Sequence, residues 1–227
     1  MRPLTTTSYA VLGLLAARPR SAYDLVRQIK RSNVRLIWPR AESKLYEEPK
    51  TLVAHGLATA GVARTGARRR SVYRITPRGR HALRQWLGEP GAALLLEFES
   101  MVKVVYGDFG TKEQLLANIQ RIRDGTLERA SASLPLVREL AEVGPRFPER
   151  AHVIAVADRF LVDVLQMTLR WSEWAEHVVE QWSGTRQDRA MAAQARRVLG
   201  ENAAAVEAIA ARAPNASKST THARRAR

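Results

Sequence analysis

From Glu149 to Trp182 the chain runs for 34 residues without a glycine or a proline. Through that run Ala157, Phe160, Val164, Thr168, Trp171, Ala175, Val178 and Trp182 recur at spacings of three and four. This periodicity places them on one face of a long helix, roughly 50 Å from end to end. A domain of this size cannot easily cover so long a face from within. The helix is therefore expected to pack against another long helix, from a second copy of the chain or within an intramolecular three-helix bundle. The sequence predicts a homodimer whose interface includes Phe160, Val164, Trp171, Ala175, Val178 and Trp182. Trp171, Trp174, Val178 and Trp182 also share one side of the helix, where indoles suit a flat ligand. An aromatic stripe at helical spacing is more often core.

The first 90 residues are punctuated quite differently. Thr5 to Ser8 can cap a helix built on Val11, Leu12, Leu14 and Leu15, and Arg18-Pro19 ends it, because proline disfavours helical geometry in the residue before it. Ser21 opens a second helix with Asp24 as capping-box partner, burying Leu25, Val26 and Ile29. A third helix runs from about Ala41 to His55 and stops at Gly56. Two strand-like segments, 57–64 and 70–76, are joined by Thr65-Gly66-Ala67-Arg68-Arg69, a short hairpin loop. Thr76-Pro77 starts a further helix that ends near Gly88. Helix, helix, helix, hairpin, helix is the order of a winged helix-turn-helix.

The expected organisation has three parts. Residues 1–90 form a winged-helix domain, 91–183 a helical dimerisation and effector domain, and 184–227 an Ala-rich helix to about Arg212 followed by a basic disordered tail. Within 91–183, Leu94 to Tyr106 is largely apolar, Thr111 and Gln114 make a capping box, Gly125 and Pro135 are expected to weaken or kink the next helix, and 144–148 is a turn. The fold class is mainly α with a small β-hairpin wing.

Charge is distributed along the same divisions. Residues 1–90 carry 18 Lys and Arg against 5 Asp and Glu, residues 91–184 carry 10 against 14, and residues 185–227 carry 9 against 3. Arginine outnumbers lysine 31 to 6, as in a GC-rich genome, but such a bias would spread evenly and this one does not. A domain this basic has the footprint of a polyanion binder.

Other classes are disfavoured. The chain has no cysteine, so it offers no disulfide, thiolate metal site or thiol nucleophile. Its five histidines are scattered without metal-ligand spacing, and Asp108-Phe109-Gly110 lacks the other motifs of a kinase. No enzyme activity, metal or cofactor is expected. The apolar run Ala10 to Ala17 is too short for a signal or a membrane span, so a cytoplasmic protein is expected.

Several blocks in order give the first 90 residues a resemblance. They are Leu4 to Thr7 leading to Tyr9 through Leu15, Ser21 to Leu25, Leu45 to Leu52 with Gly56-Leu57, and Arg69-Arg70 with Val72 to Thr76 and Gly79. Together they resemble the PadR family of bacterial regulators. Trp171-Ser172-Glu173-Trp174-Ala175 is similar, more weakly, to the helical dimerisation region of its larger members. Ala22 and Pro49 depart from the pattern. The resemblance implies a ligand-responsive repressor acting as a homodimer on a pseudo-palindromic double-stranded operator, with a small aromatic or amphipathic effector. An architectural protein that coats DNA without regard to sequence is the alternative, and a winged helix that binds only protein is a third reading.

On a helical wheel Ser43, Tyr46, Glu47 and Lys50 share one face of the third helix, while Leu45, Pro49 and Leu52 share the other. The polar face is free for a major groove. Lys44 and Lys50 suit phosphates or guanine, Glu47 suits cytosine N4, and Ser43 and Tyr46 suit either base edge or backbone. Tyr46 equally fits a half-buried packing ring. Arg68, Arg69 and Arg70 at the hairpin tip are expected to meet phosphates or a minor groove. Tyr23 resembles the family's phosphate-contacting tyrosine, and its position also suits a core residue.

Overall fold

In the computed structural model, residues 2–32, 34–65, 68–145 and 147–213 are described. They form two compact units. One holds the residues up to Glu97 together with Thr126–Leu169, and the other holds Phe98–Gly125 together with the described residues from Arg170 onward.

The first unit opens with α1 (Thr6–Ala17). Thr5 lies ahead of it in extended backbone, and its N–H donates to Ser8 Oγ at 3.0 Å. Arg18 is extended again, so Pro19 stops the helix as its chemistry requires. A two-residue strand β1 (Arg20–Ser21) and α2 (Ala22–Lys30) follow. Ser21 Oγ accepts from the Asp24 N–H at 3.1 Å and donates to its carboxylate at 2.7 Å. Then come a single turn, α3 (Val34–Ile37), and α4 (Glu42–Ala54). Gly56 takes φ +69°, a left-handed turn that costs glycine little, and sends the chain into β2 (Ala58–Thr65). β3 (Arg68–Ile75) returns, and α5 (Pro77–Gly88) closes the series. Thr76 Oγ1 accepts from the Gly79 N–H at 3.0 Å and donates to the Gly56 carbonyl at 2.8 Å, tying helix start to turn.

The sheet is antiparallel in the order β1-β3-β2, with Arg20 opposite Tyr73, Ala58 opposite Ile75 and Thr65 opposite Arg68. Val11, Leu12 and Leu15 of α1 meet Leu25, Val26 and Ile29 of α2, Leu45 and Leu52 of α4, and Tyr73 in one buried core. The fold is a winged helix, mainly α with a small β wing. β1 and α3 have no counterpart in the sequence reading, because two residues or one turn carry no periodicity to detect.

The remaining α-helices are α6 (Glu99–Val105), α7 (Lys112–Glu142), α8 (Ala151–Glu180) and α9 (Arg189–Ala210). In the first unit Phe147, just ahead of α8, receives the guanidinium groups of Arg18 and Arg20 at 4.7 and 5.4 Å from its ring centroid. In the second unit Leu115 and Ile119 of α7 bury against Ala175 and Val179 of α8, with Trp171 and Trp182 packed alongside. Thr111 and Gln114 exchange the expected capping-box hydrogen bonds at 3.0 and 3.2 Å. Lys112 Nζ donates to the carbonyls of Glu180 (2.8 Å) and Trp182 (2.6 Å), placing a cation at the negative end of α8. Asp188 caps α9, accepting from the Met191 N–H at 2.8 Å, and Trp182 Nε1 donates to Gln194 Oε1 at 3.0 Å.

One expectation is corrected. The helical character expected from Gly91 begins only at Glu99, and Leu94, Leu95 and Leu96 are exposed in non-helical chain. Gly125 and Pro135 both lie inside α7, which continues past them, since losing one backbone bond does not end a helix already propagated over 31 residues. The tail from Asn215 onward, for which the sequence predicts disorder, and the loop residues Gly66 and Ala67 lie outside the described residues.

Candidate nucleic-acid interface

The inner face of α4 packs on α1 and α2 and buries Leu45, Glu48, Pro49 and Leu52. That leaves Ser43, Lys44, Tyr46, Glu47 and Lys50 exposed. The outer face thus carries hydroxyls, a carboxylate and ammonium groups, which match the donors and acceptors on base edges and phosphates. Tyr46 stays 39% exposed on this face. The helix continues through Pro49 to Ala54, with the ring turned into the core.

Tyr23, in the first turn of α2, is exposed rather than core. It shares a shallow depression of about 660 Å³ with Arg70, Ser71 and Tyr73 of β3. A phenol and a guanidinium expected to hold phosphate therefore lie on one strip of surface. The expected loop 65–69 is shorter in the structure. The backbones of Arg68 and Arg69 already belong to β3, paired with Thr65 and Arg64, and their side chains lie outside the described residues. Arg70 is exposed.

Sequence reasoning missed the residue that ties α4 to the rest of its domain. Glu48 is fully buried. Its carboxylate accepts from Ser8 Oγ at 2.7 Å and from Arg2 Nη2 at 2.5 Å. The wheel that buries Leu45 and Leu52 also puts Glu48 between them, three residues after one and four before the other. Its position was readable and its charge obscured it. A groove of about 750 Å³ was missed too, with Arg2, Arg40, Lys44 and Trp38 among its walls. There Trp38 Nε1 donates to Thr7 Oγ1 at 3.0 Å, the Arg40 guanidinium lies 3.9 Å over the Trp38 ring, and Tyr9 stacks on Trp86 at 4.8 Å.

The long-helix stripe is divided by the structure. Trp171 and Trp182 pack on the cluster formed by α7 and α8 of their own chain, where Ala175 is buried. Val164 and Val178 are half-buried, while Phe160 and Trp174 stay 47% and 46% exposed. Among the described residues no three His, Asp or Glu side chains gather as a metal site, and no helix is long and apolar enough to cross a membrane.

Residues 11–85, which hold most of this winged helix, match the transcriptional regulator PadR-like family. The chain is similar in fold to Bacillus subtilis PadR in complex with operator DNA, with a TM-score of 0.69 and 19% identity over 77% of this chain and 99% of that one. Its likeness to Bacillus subtilis PadR in complex with p-coumaric acid has a TM-score of 0.62 and 19% identity, covering 79% of this chain and 100% of the other. The PadR-like transcriptional regulator BC1756 from Bacillus cereus gives 0.62 and 18%, covering 77% and 98%. At such identities the shared property is the fold. No curated protein matches the chain by sequence.

Proposed function

We propose that this chain is a sequence-specific transcription regulator that binds a pseudo-palindromic DNA operator as a homodimer. Ser43, Lys44, Tyr46 and Lys50 read base edges, while Tyr23, Arg68, Arg69 and Arg70 hold phosphates. The carrying observation is the exposed polar face of α4 on a winged helix with 18 basic against 5 acidic residues in its first 90. Similarity to a PadR captured on operator DNA supports the same use of the fold. The protein works in the cytoplasm, through binding rather than catalysis.

Residues 1–90 act as the DNA reader, 91–183 as the dimerisation and effector part, and 184–227 as a basic extension. Phe160, Val164, Trp174 and Val178 contribute to the contact with the second copy, and the outward indole of Trp174 suits a small aromatic or amphipathic effector. The p-coumaric acid complex of Bacillus subtilis PadR supports an effector of that class. The chain itself would act as a repressor that such a ligand releases.

The test is recovery of genomic fragments bound by the purified chain. One enriched pseudo-palindrome, bound about 10³-fold or more above bulk DNA, is expected. Equal affinity for all duplexes would instead favour an architectural protein, and failure to bind any duplex at low salt would leave a protein-interaction module.

A further inference from the structure

Used as the DNA-reading helix, α4 meets an electrostatic difficulty, and the role of Arg2 that resolves it rests on that reading of α4. The helix carries Glu42, Glu47 and Glu48 against Lys44 and Lys50, so on its own it is net negative while facing a polyanion. Its acids are met by cations from outside the helix. Lys30 of α2 pairs with Glu42. Arg2, ahead of α1, sets Nη2 at 2.5 Å from Glu48 Oε1 and Nη1 at 3.7 Å from Glu47 Oε2. Arg2 is itself anchored, because its carbonyl accepts from His55 Nε2 at 2.7 Å. Its side chain is 39% exposed while that of Glu48 is wholly buried.

We propose that Arg2 is a positioning residue of the DNA interface, which neutralises the Glu47-Glu48 pair and, through buried Glu48, fixes the rotation of α4. Apolar contacts at Leu45 and Leu52 hold the helix against the core without prescribing its angle. A charge-assisted hydrogen bond to a fully buried carboxylate is directional, and Ser8 holds the second oxygen. Pro49 adds to the need, since it removes the N–H that would bond the Leu45 carbonyl. Without Arg2, Glu48 is a buried charge with a single hydroxyl partner. The cheapest relief is to rotate toward water, which turns Tyr46 and Lys50 with it.

The experiment measures affinity of the full chain for its recovered operator at fixed salt, with thermal melts confirming that each variant is folded. Arg2→Ala should weaken operator binding about tenfold or more, as when one partner of a buried pair is removed. Glu48→Gln alone should weaken it less than Arg2→Ala, since the amide oxygen can still accept from Arg2 while the amide N–H donates to Ser8 Oγ. Adding Glu48→Gln to Arg2→Ala should restore most of the loss, because no buried charge is left unpaired. Arg2→Lys keeps the charge and should lose less than Arg2→Ala. Wild-type affinity in Arg2→Ala would overturn the proposal. So would a double variant as weak as Arg2→Ala, since Arg2 would then act directly on phosphate and not through Glu48. A wild-type chain with no operator preference fails at the first measurement and takes the DNA reading down with it. The other two failures leave that reading standing.

Discussion

At Gly79 a single added methyl would meet the Leu57 carbonyl oxygen at 2.1 Å and Ile75 Cγ1 at 2.9 Å. The same residue donates its N–H to Thr76 Oγ1, so α5, the turn at Gly56 and the end of β3 converge on one position. A backbone carbonyl cannot swing aside as a side chain does. Gly79→Ala should therefore destabilise the N-terminal domain by at least the ~1–3 kcal/mol typical of overpacking, seen as a lower urea midpoint. An unchanged midpoint would contradict this packing. On the outer face of α4 nothing is packed, and the expected effects concern recognition. Ser43→Ala and Lys50→Ala should each shift preference among operator variants, with about 1–3 kcal/mol at stake for a bidentate base contact. Equal losses on every sequence would mean that these side chains touch only the DNA backbone.

Among the elements, α4 shows both what the sequence discloses and what it hides. Its apolar and polar faces fall where the helical period places them, because Leu45 and Leu52 have no better use than burial. Glu48 obeys the same period, yet a carboxylate on an inner face makes sense only once Arg2 and Ser8, 46 and 40 residues away, are seen to meet it. β1 exists because β3 offers it an edge, a pairing that residues 20 and 21 do not announce. Trp171 and Trp182 have helical spacing whether their partner is α7 of their own chain or a second copy, so periodicity alone did not choose between them. Ile119, almost wholly buried in that cluster, should cost about 2–5 kcal/mol on truncation to alanine, measured by urea denaturation of the full chain. A neutral Ile119→Ala would deny that α7 and α8 form a core. α9 has its own acid sensitivity. Hydrogen bonds from the Met191 N–H and Ser183 Oγ hold the Asp188 carboxyl below the usual aspartate range. Its capping contribution is complete above that ordinary value and fades as pH falls from there through the lowered one. Trp182 fluorescence should report loosening of α9 in that acid window, and Asp188→Ala should remove the dependence. A transition unmoved by Asp188→Ala would assign it to another group.

At the scale of the whole molecule, operator reading needs two copies and a charged interface. The full chain should sediment as a dimer at micromolar concentration, because one recognition helix gains half-site spacing and avidity only by two-fold pairing. A monomer that still binds a palindrome tightly would remove dimerisation from the proposal. If two copies neutralise roughly six to ten phosphates, operator affinity should fall by about 10³–10⁵ between about 50 and 200 mM salt. Replacing Arg68, Arg69 and Arg70 with alanine should weaken binding to every sequence and flatten that slope, and a slope unchanged by the triple substitution would take the wing out of the interface. The central claim is that α4 reads sequence. It is tested most directly by titrating the full chain against its recovered operator and a scrambled duplex of equal length and composition, in the same salt. The operator should bind about 10³-fold or more tighter than the scrambled duplex. Two superimposable titration curves would contradict it.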